Sequence, residues 1–228
     1  MTVEFLSKDN ICNLSRIPVD MNNNPIYKTV SQLQKNIHIK TRDTELFKHY
    51  ESYNPRTLFD IYGVVEKLKK FPCSNIFLPW IHKKPVDEFV DIAFLYRDED
   101  FIEKQTTKIK NLTDSIESLG YTPEEFPDRK GGHITGYWLR HKKNEKFYVC
   151  SGNHRVSVCF SLNGKAKVPF SYENINHLKQ RDLVNRRKDI LKLYDTKDVS
   201  NWPSVASGFL EETEAIAITN VYFEGKNE

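Results

Sequence analysis

The sequence predicts an α+β fold, a small mixed sheet packed with helices, and three stretches carry that expectation. The first is "GYWLRHKKNEKFYVC", residues 136–150. It holds two strand-type runs split by a polar turn at Lys142–Glu145, the pattern of a β-hairpin. The second follows at once. Ser151-Gly152 is a small-residue turn, and Asn153–Leu162 then places Val156, Cys159 and Phe160 on one helical face. The third is Asp98–Leu119, with Ile109, Leu112, Ile116 and Leu119 as an apolar stripe and Gly120 placed to stop the helix.

The other elements are read in chain order. Met1–Thr41 reads as irregular, with the turn-rich "DMNNNPIYKTV" lying along the surface. Asn54-Pro55 reads as a helix cap followed by proline at the first helical position. Leu58, Ile61, Tyr62, Val65 and Leu68 continue that helix, and Lys67, Lys69 and Lys70 suit its C-terminal end. "SNIFLPWIH" (Ser74–His82) reads as a strand broken by Pro79, and "AKVPFSYE" (Ala166–Glu173) as another. Asn174–Tyr194 reads as a long basic helix holding Arg181, Arg186, Arg187 and Lys188. "EETEAIAITNVYF" (Glu211–Phe223) reads as an amphipathic helix, anchored by Trp202 before Pro203. These elements suggest an N-terminal, partly helical extension over 1–73, a core over 74–173 and a C-terminal helical extension over 174–228.

Composition narrows the class. The 228 residues are 39% hydrophobic, 29% charged and 12% aromatic, which suits a globular chain with a wet surface. A net charge of +3 is mildly basic and does not by itself imply a nucleic-acid partner. No stretch approaches the roughly 20 apolar residues of a membrane span. Met1–Asp20 carries acids and lacks a long apolar run, so no secretion leader is expected and the expected location is cytoplasmic. Cys12, Cys73, Cys150 and Cys159 form no Cys-x-x-Cys pair and are expected as free thiols.

The chemistry concentrates at Ser151-Gly152-Asn153-His154-Arg155. A helix N-terminus offers free N–H groups and the positive end of the dipole, a ready anion site. Gly152 lets an anion approach the backbone, Arg155 can grip phosphate oxygens in a fork, and Ser151, Asn153 and His154 add donors. The competing reading is a capped helix whose His and Arg face solvent. Upstream, Asp98, Glu99, Asp100 and Glu103 form an acidic helix start. Asp98 and Asp100 are candidate Mg²⁺ ligands, and Asp98, Glu99, Asp100 and Glu103 are candidate bases, with His154 and Arg155 the candidates to stabilise charge in transfer. The alternative is that these acids serve the helix dipole. Lys108, Lys110, His133 and the Arg181–Lys188 run are weaker candidates. One of Tyr137 and Trp138, alternating on a strand, is a candidate to flank a base or sugar.

The run "IESLGYTP…FYVCSGNHRVSVCFSLNGKAKVPF" resembles the ParB/sulfiredoxin-like fold family over roughly 74–173. The likeness lies in Ser115-Ile116 through Gly120, Tyr148–Ser151, the Gly-x-His-Arg of Gly152–Arg155, Asn163-Gly164 and Val168-Pro169. "SNIFLPW" would be the family's first strand. Sulfiredoxins carry a cysteine between that glycine and histidine. Asn153 stands there in this chain, so Cys150 and Cys159 are expected to be dispensable. Chromosome-partition ParB proteins favour Glu-Arg-Arg after the glycine and carry a following helix-turn-helix, which is not evident here. The closest motif is that of free serine kinases, whose turn holds nucleotide phosphates. The resemblance implies a nucleotide-binding enzyme, a small-molecule kinase using ATP or another nucleotide and Mg²⁺. Its acceptor would be a small hydroxylated metabolite or sugar. The run "NWPSVASGFLEETEAIAITNVYF" (Asn201–Phe223) and the Asn54-Pro55 helix also resemble extensions on ParB-like proteins of surface-polysaccharide gene sets. The alternative the same family allows is a nucleotide-responsive switch or a nucleic-acid-binding protein without kinase activity.

Overall fold

The computed structural model of the chain describes residues 3–12, 22–53, 55–71, 79–80, 98–122, 134–163, 168–171 and 193–224. It is an α+β arrangement of helices around a small mixed sheet. The expected hairpin is present as β3 (Thr135–His141) and β4 (Asn144–Ser151), with a tighter turn than expected, Lys142-Lys143 alone. A short strand, β2 (Ile11–Cys12), lies parallel to β4, and β6 (Leu193–Asp195) lies parallel to β3. The sheet order is therefore β2-β4-β3-β6. A separate ribbon pairs β1 (Val3–Leu6) with β5 (Val168–Ser171) in antiparallel register. Strands from both ends of the chain thus complete the sheets around the hairpin.

Alternation along the strands decides what each face buries. Phe147 and Val149 of β4 face one apolar cluster, while Tyr148 between them faces another. Likewise Ile11 and Cys12 of β2 point to opposite clusters. The first cluster is covered by α1 (Pro25–Lys35), α2 (Glu45–Ser52), α4 (Glu99–Leu119) and α5 (Asn153–Asn163). The second is covered by α3 (Leu58–Tyr62), the segment through Trp202 and α6 (Pro203–Ala206), and α7 (Glu212–Glu224). The sheet is therefore a middle layer, buried on both faces.

The second cluster is an aromatic nest. Trp80 is fully buried and meets Tyr137, Tyr148, Trp202 and Tyr222 edge-on, with ring centroids 5.5–6.2 Å apart. Its indole N–H donates to the Tyr137 hydroxyl at 2.5 Å, so the polar handle of a buried tryptophan is satisfied. Lys146 on β4 donates to the carbonyls of Tyr222 and Phe223 and so closes the C-terminal turn of α7 against the sheet. Trp202 does sit beneath the last helix, as expected.

Five sequence expectations are corrected. Met1–Thr41 is not irregular: it holds β1, β2 and α1. The Asn24-Pro25 pair that reads as a turn starts α1 instead. The Asn24 side chain accepts from the Tyr27 N–H at 3.0 Å, and Ile26, Val30 and Leu33 go into the core. Second, Pro55 does not open a helix. Thr57 caps α3 with Asp60 in a reciprocal capping box, and left-handed Gly63 ends it after five residues. Lys67, Lys69 and Lys70 then fall in a separate 3-10 turn, Glu66–Lys70. Third, Leu119 is not on the buried stripe of α4 but 73% exposed, because the buried row is Ile102, Thr106, Ile109, Thr113 and Ile116. Fourth, Tyr194 belongs to β6, not to a helix, and pairs with Leu139. Fifth, Tyr137 does not flank a ligand surface, since it is fully buried in the aromatic nest. The Ser74–His82 strand, apart from a turn at Pro79-Trp80, and the basic run Arg181–Lys188 lie outside the described residues.

The helices Asp98–Leu119 and Asn153–Leu162 and the strand at Val168–Ser171 stand where the sequence put them. Among the described residues no helix is long and apolar enough to cross a membrane.

One strand position leaves no room for change. A Cβ on Gly136 would lie 2.0 Å from the Tyr148 carbonyl oxygen and 2.7 Å from the Phe147 ring, where β3 and β4 shift register. Gly136→Ala therefore has to push the two strands apart. We expect it to lower stability by about 1–3 kcal/mol, the usual cost of overpacking. Urea denaturation measures this, and an unchanged midpoint would count against the strand pairing described.

Candidate functional site

The candidate site forms where β4 runs into α5. β4 ends at Ser151, and Gly152 takes φ +94, a conformation that side-chain-bearing residues rarely adopt. A Cβ there would also lie 2.9 Å from Ile134 Cγ1 and 3.1 Å from its Cα. Glycine is required twice over, by the backbone angle and by the floor beneath it. The turn reverses the chain tightly enough that the Val156 N–H already donates to the Gly152 carbonyl at 2.9 Å. The N–H groups before Val156 are left without intrahelical partners, as at any helix start.

Three side chains crowd this opening. Asn153 has its Oδ1 enclosed and unpartnered among the described residues. A buried acceptor in that state costs about 1–3 kcal/mol, so it calls for a donor from outside the chain, or for the amide to turn and offer its N–H₂ instead. His154 is half-buried, and its pKa is pushed down to about 4 by burial first and then by the charges of Lys108 and Arg155. It therefore stands neutral at pH 7, able to donate one hydrogen bond and accept another. Arg155 is also half-buried, and burial pulls its pKa below the ordinary value, against Tyr121 and Cys159, which raise it.

The electrostatics are one-sided. Arg42 holds Glu99, Arg140 holds Glu145 and Asp195, and Arg56 lies exposed. Arg155 is the partly buried arginine among the described residues that makes no hydrogen bond or ion pair. Among the described residues no carboxylate figures among the charges acting on His154 or Arg155. A desolvated guanidinium without a counter-charge is costly, and an incoming anion removes that cost. Lys108 reaches this field from α4, which packs beside α5.

The acids ahead of α4 are placed differently. Asp98 is the cap of α4, its Oδ1 accepting from the Phe101 N–H at 2.7 Å. Glu99 takes both arms of Arg42 at 2.5 and 2.6 Å, which holds its carboxyl below the usual range. Asp100 and Glu103 are exposed and line an open cavity of about 310 Å³ with Lys104 and Thr107. Asp100 has a loose contact with Lys104 at 4.0 Å. By helical rise, Glu103 lies about 7.5 Å and Asp100 about 12 Å along the axis from Lys108. The cavity and the α5 opening therefore mark neighbouring turns of one helix and do not merge into one cluster.

The remaining candidates separate cleanly. Cys159 is buried, and burial pushes its thiol up to about 12, with Arg155 pulling it only partly back. It carries no thiolate chemistry at neutral pH. Among the described residues no three His, Cys, Asp or Glu side chains group as a metal site. Trp138 packs half-buried against Phe147 on the helix-rich face. His133 lies outside the described residues. The sequence missed Ile134 as the floor of the turn and Tyr121 as the acceptor for the Ile134 N–H. Neither carries a local motif; a strand contact and a residue after a helix stop are brought there by the fold.

Burial of neutral histidines predicts an acid-labile fold. With His154 near 4 in the folded chain and 6.5 as the ordinary value, the unfolded chain binds the extra proton between those limits. The stability is complete above pH 6.5 and is lost as pH falls toward 4. His49, also pushed down to about 4 by burial, acts in the same direction. For His154 the loss is at most about 3 kcal/mol. Urea midpoints at pH 7 and pH 4.5 give the slope, and His154→Gln should flatten it. An equal slope in the variant contradicts the buried neutral imidazole.

No protein-family model, curated protein or solved structure matches the chain.

Proposed function

We propose that the opening of α5 holds the phosphates of a nucleotide, and that the chain is a phosphotransferase of ParB/sulfiredoxin-like type acting on a small hydroxylated metabolite or sugar. The observation that carries this reading is the half-buried guanidinium of Arg155, unpaired among the described residues and set beside neutral His154 over the glycine turn. Arg155 grips phosphate oxygens in a fork, and the first N–H groups of α5 point at the same anion. His154 adds a neutral donor, and Gly152 keeps a side chain out of the approach. Phosphoryl transfer needs mainly positioning and charge stabilisation, which these groups supply. The setting suggested by the resemblance, surface-polysaccharide metabolism, supplies acceptors of the required hydroxylated kind.

The base comes from α4. Asp98 and Glu99 already serve the helix cap and Arg42, which leaves Asp100 and Glu103 beside their cavity as the carboxylates able to take the acceptor's proton. Asp98 and Asp100 do not fit a metal cage of the chain's own, since Asp98 is bound into its cap. Mg²⁺ suits this arrangement only as a partner of the nucleotide's phosphates, which it binds with one or two protein carboxylates and several waters.

One observation favours a second reading. The free acids are exposed and a turn or more away from Lys108, so the same cradle works without a base as a nucleotide-responsive switch. A thermal-shift panel of ATP, ADP, CTP and GTP with Mg²⁺ tests what both readings share. A ligand at 100 times its Kd adds about 2.7 kcal/mol to stability. Absence of a shift with all four overturns the phosphate site.

A further inference from the structure

We infer that Tyr121 is a positioning residue of the anion site, pinning the backbone under the Gly152 turn from which α5 and Arg155 start. The inference rests on the phosphate reading of the α5 opening. Tyr121 follows Gly120, the residue that ends α4. Its hydroxyl accepts the Ile134 N–H at 3.1 Å, across 13 residues of chain. Its ring packs against the helix-rich cluster that also holds Ile134, Val156 and Phe160.

Ile134 is what makes this contact matter to the site. A side chain at Gly152 would strike it at 2.9 Å, so there is no slack between the Ile134 backbone and the turn. A shift of Ile134 moves Gly152 and with it the first N–H groups of α5. Arg155 rides on the first turn of the helix that starts after Gly152, so the same shift carries the guanidinium with it. One side chain therefore joins the end of α4 to the floor of the turn and, through α5, sets where the gripping arginine stands. An offset of about 1 Å in such a site is enough to cost binding or rate.

Tyr121→Phe tests this, because it keeps the ring and removes the oxygen. The probes are Mg²⁺-ATP and inorganic pyrophosphate, titrated by calorimetry into the full chain. We expect about 10-fold weaker binding of both, the size of one lost hydrogen bond. A purely structural role would weaken binding independently of Arg155. Tyr121→Phe and Arg155→Lys are therefore combined, and their losses should fall well short of adding. Amide exchange at Ile134 should quicken in Tyr121→Phe. Wild-type affinity in Tyr121→Phe, or losses that add in full, overturns the inference. If Arg155→Lys weakens binding and Tyr121→Phe does not, this inference alone falls. If the wild-type chain binds neither probe, the phosphate reading falls and takes this one with it.

Discussion

Arg155→Ala should abolish measurable nucleotide binding while leaving the chain folded. The guanidinium sits in the first turn of α5, half-buried and unpaired among the described residues, so alanine removes no internal ion pair. Removing a desolvated cation that lacks a counter-charge should leave stability unchanged or slightly raised. Binding behaves in the opposite way. A forked guanidinium–phosphate contact comprises two charge-assisted hydrogen bonds, each worth about 1.5–3 kcal/mol, so the expected loss is on the order of 10²- to 10⁴-fold. Arg155→Lys should recover part of it, because the charge returns without the fork. Calorimetry with Mg²⁺-ATP, read beside urea denaturation of the same variants, separates the two effects. Equal affinity in wild type and Arg155→Ala sinks the site. Unfolding of Arg155→Ala would mean that the guanidinium holds the fold, not a ligand.

The second large effect is on turnover. Asp100→Asn and Glu103→Gln each remove a proton acceptor while keeping size and polarity. If one of them is the base, turnover of the acceptor should fall by roughly 10²- to 10⁴-fold with nucleotide affinity retained. Both side chains are exposed on α4, so their replacement should barely change stability. Asp98→Asn and Glu99→Gln serve as comparisons, since those carboxylates cap α4 and hold Arg42. They should lose a little stability and little rate. Glu103 is the stronger candidate: it lies a full turn inside α4, whereas Asp100 stands at its first turn. Transfer from labelled ATP to a panel of hydroxylated metabolites is the measurement. Full turnover in both amide variants moves the base elsewhere. A wild-type chain that binds nucleotide and transfers nothing to any acceptor is a switch and not a kinase.

Local pattern alone determined the elements that are long, periodic and punctuated. The hairpin at 135–151, the helix after Ser151-Gly152 and the helix from Asp98 to Gly120 all follow from period-2 or period-3.6 spacing and from residues whose backbone preferences end a segment. The glycine turn ahead of Asn-His-Arg was legible for the same reason, because the need for Gly at φ +94 is written in the residue itself. Tertiary structure decided what spacing cannot encode. β1, β2 and β6 are two to four residues long, too short to show a period, and they are strands because a neighbour's edge satisfies their backbone. Asn24-Pro25 lies in a stretch that reads as turn-rich, and burial of Ile26, Val30 and Leu33 made it a helix start instead. The same holds for charge. The four acids at the start of α4 look alike in sequence, and the fold assigns one to a cap, one to an arginine and two to an open cavity. That Arg155 is half-buried without an ion pair among the described residues, and that Tyr121 holds the backbone beneath its turn, depends on how α4, α5 and the strand at Ile134 pack, because burial and counter-charge are properties of neighbours in space.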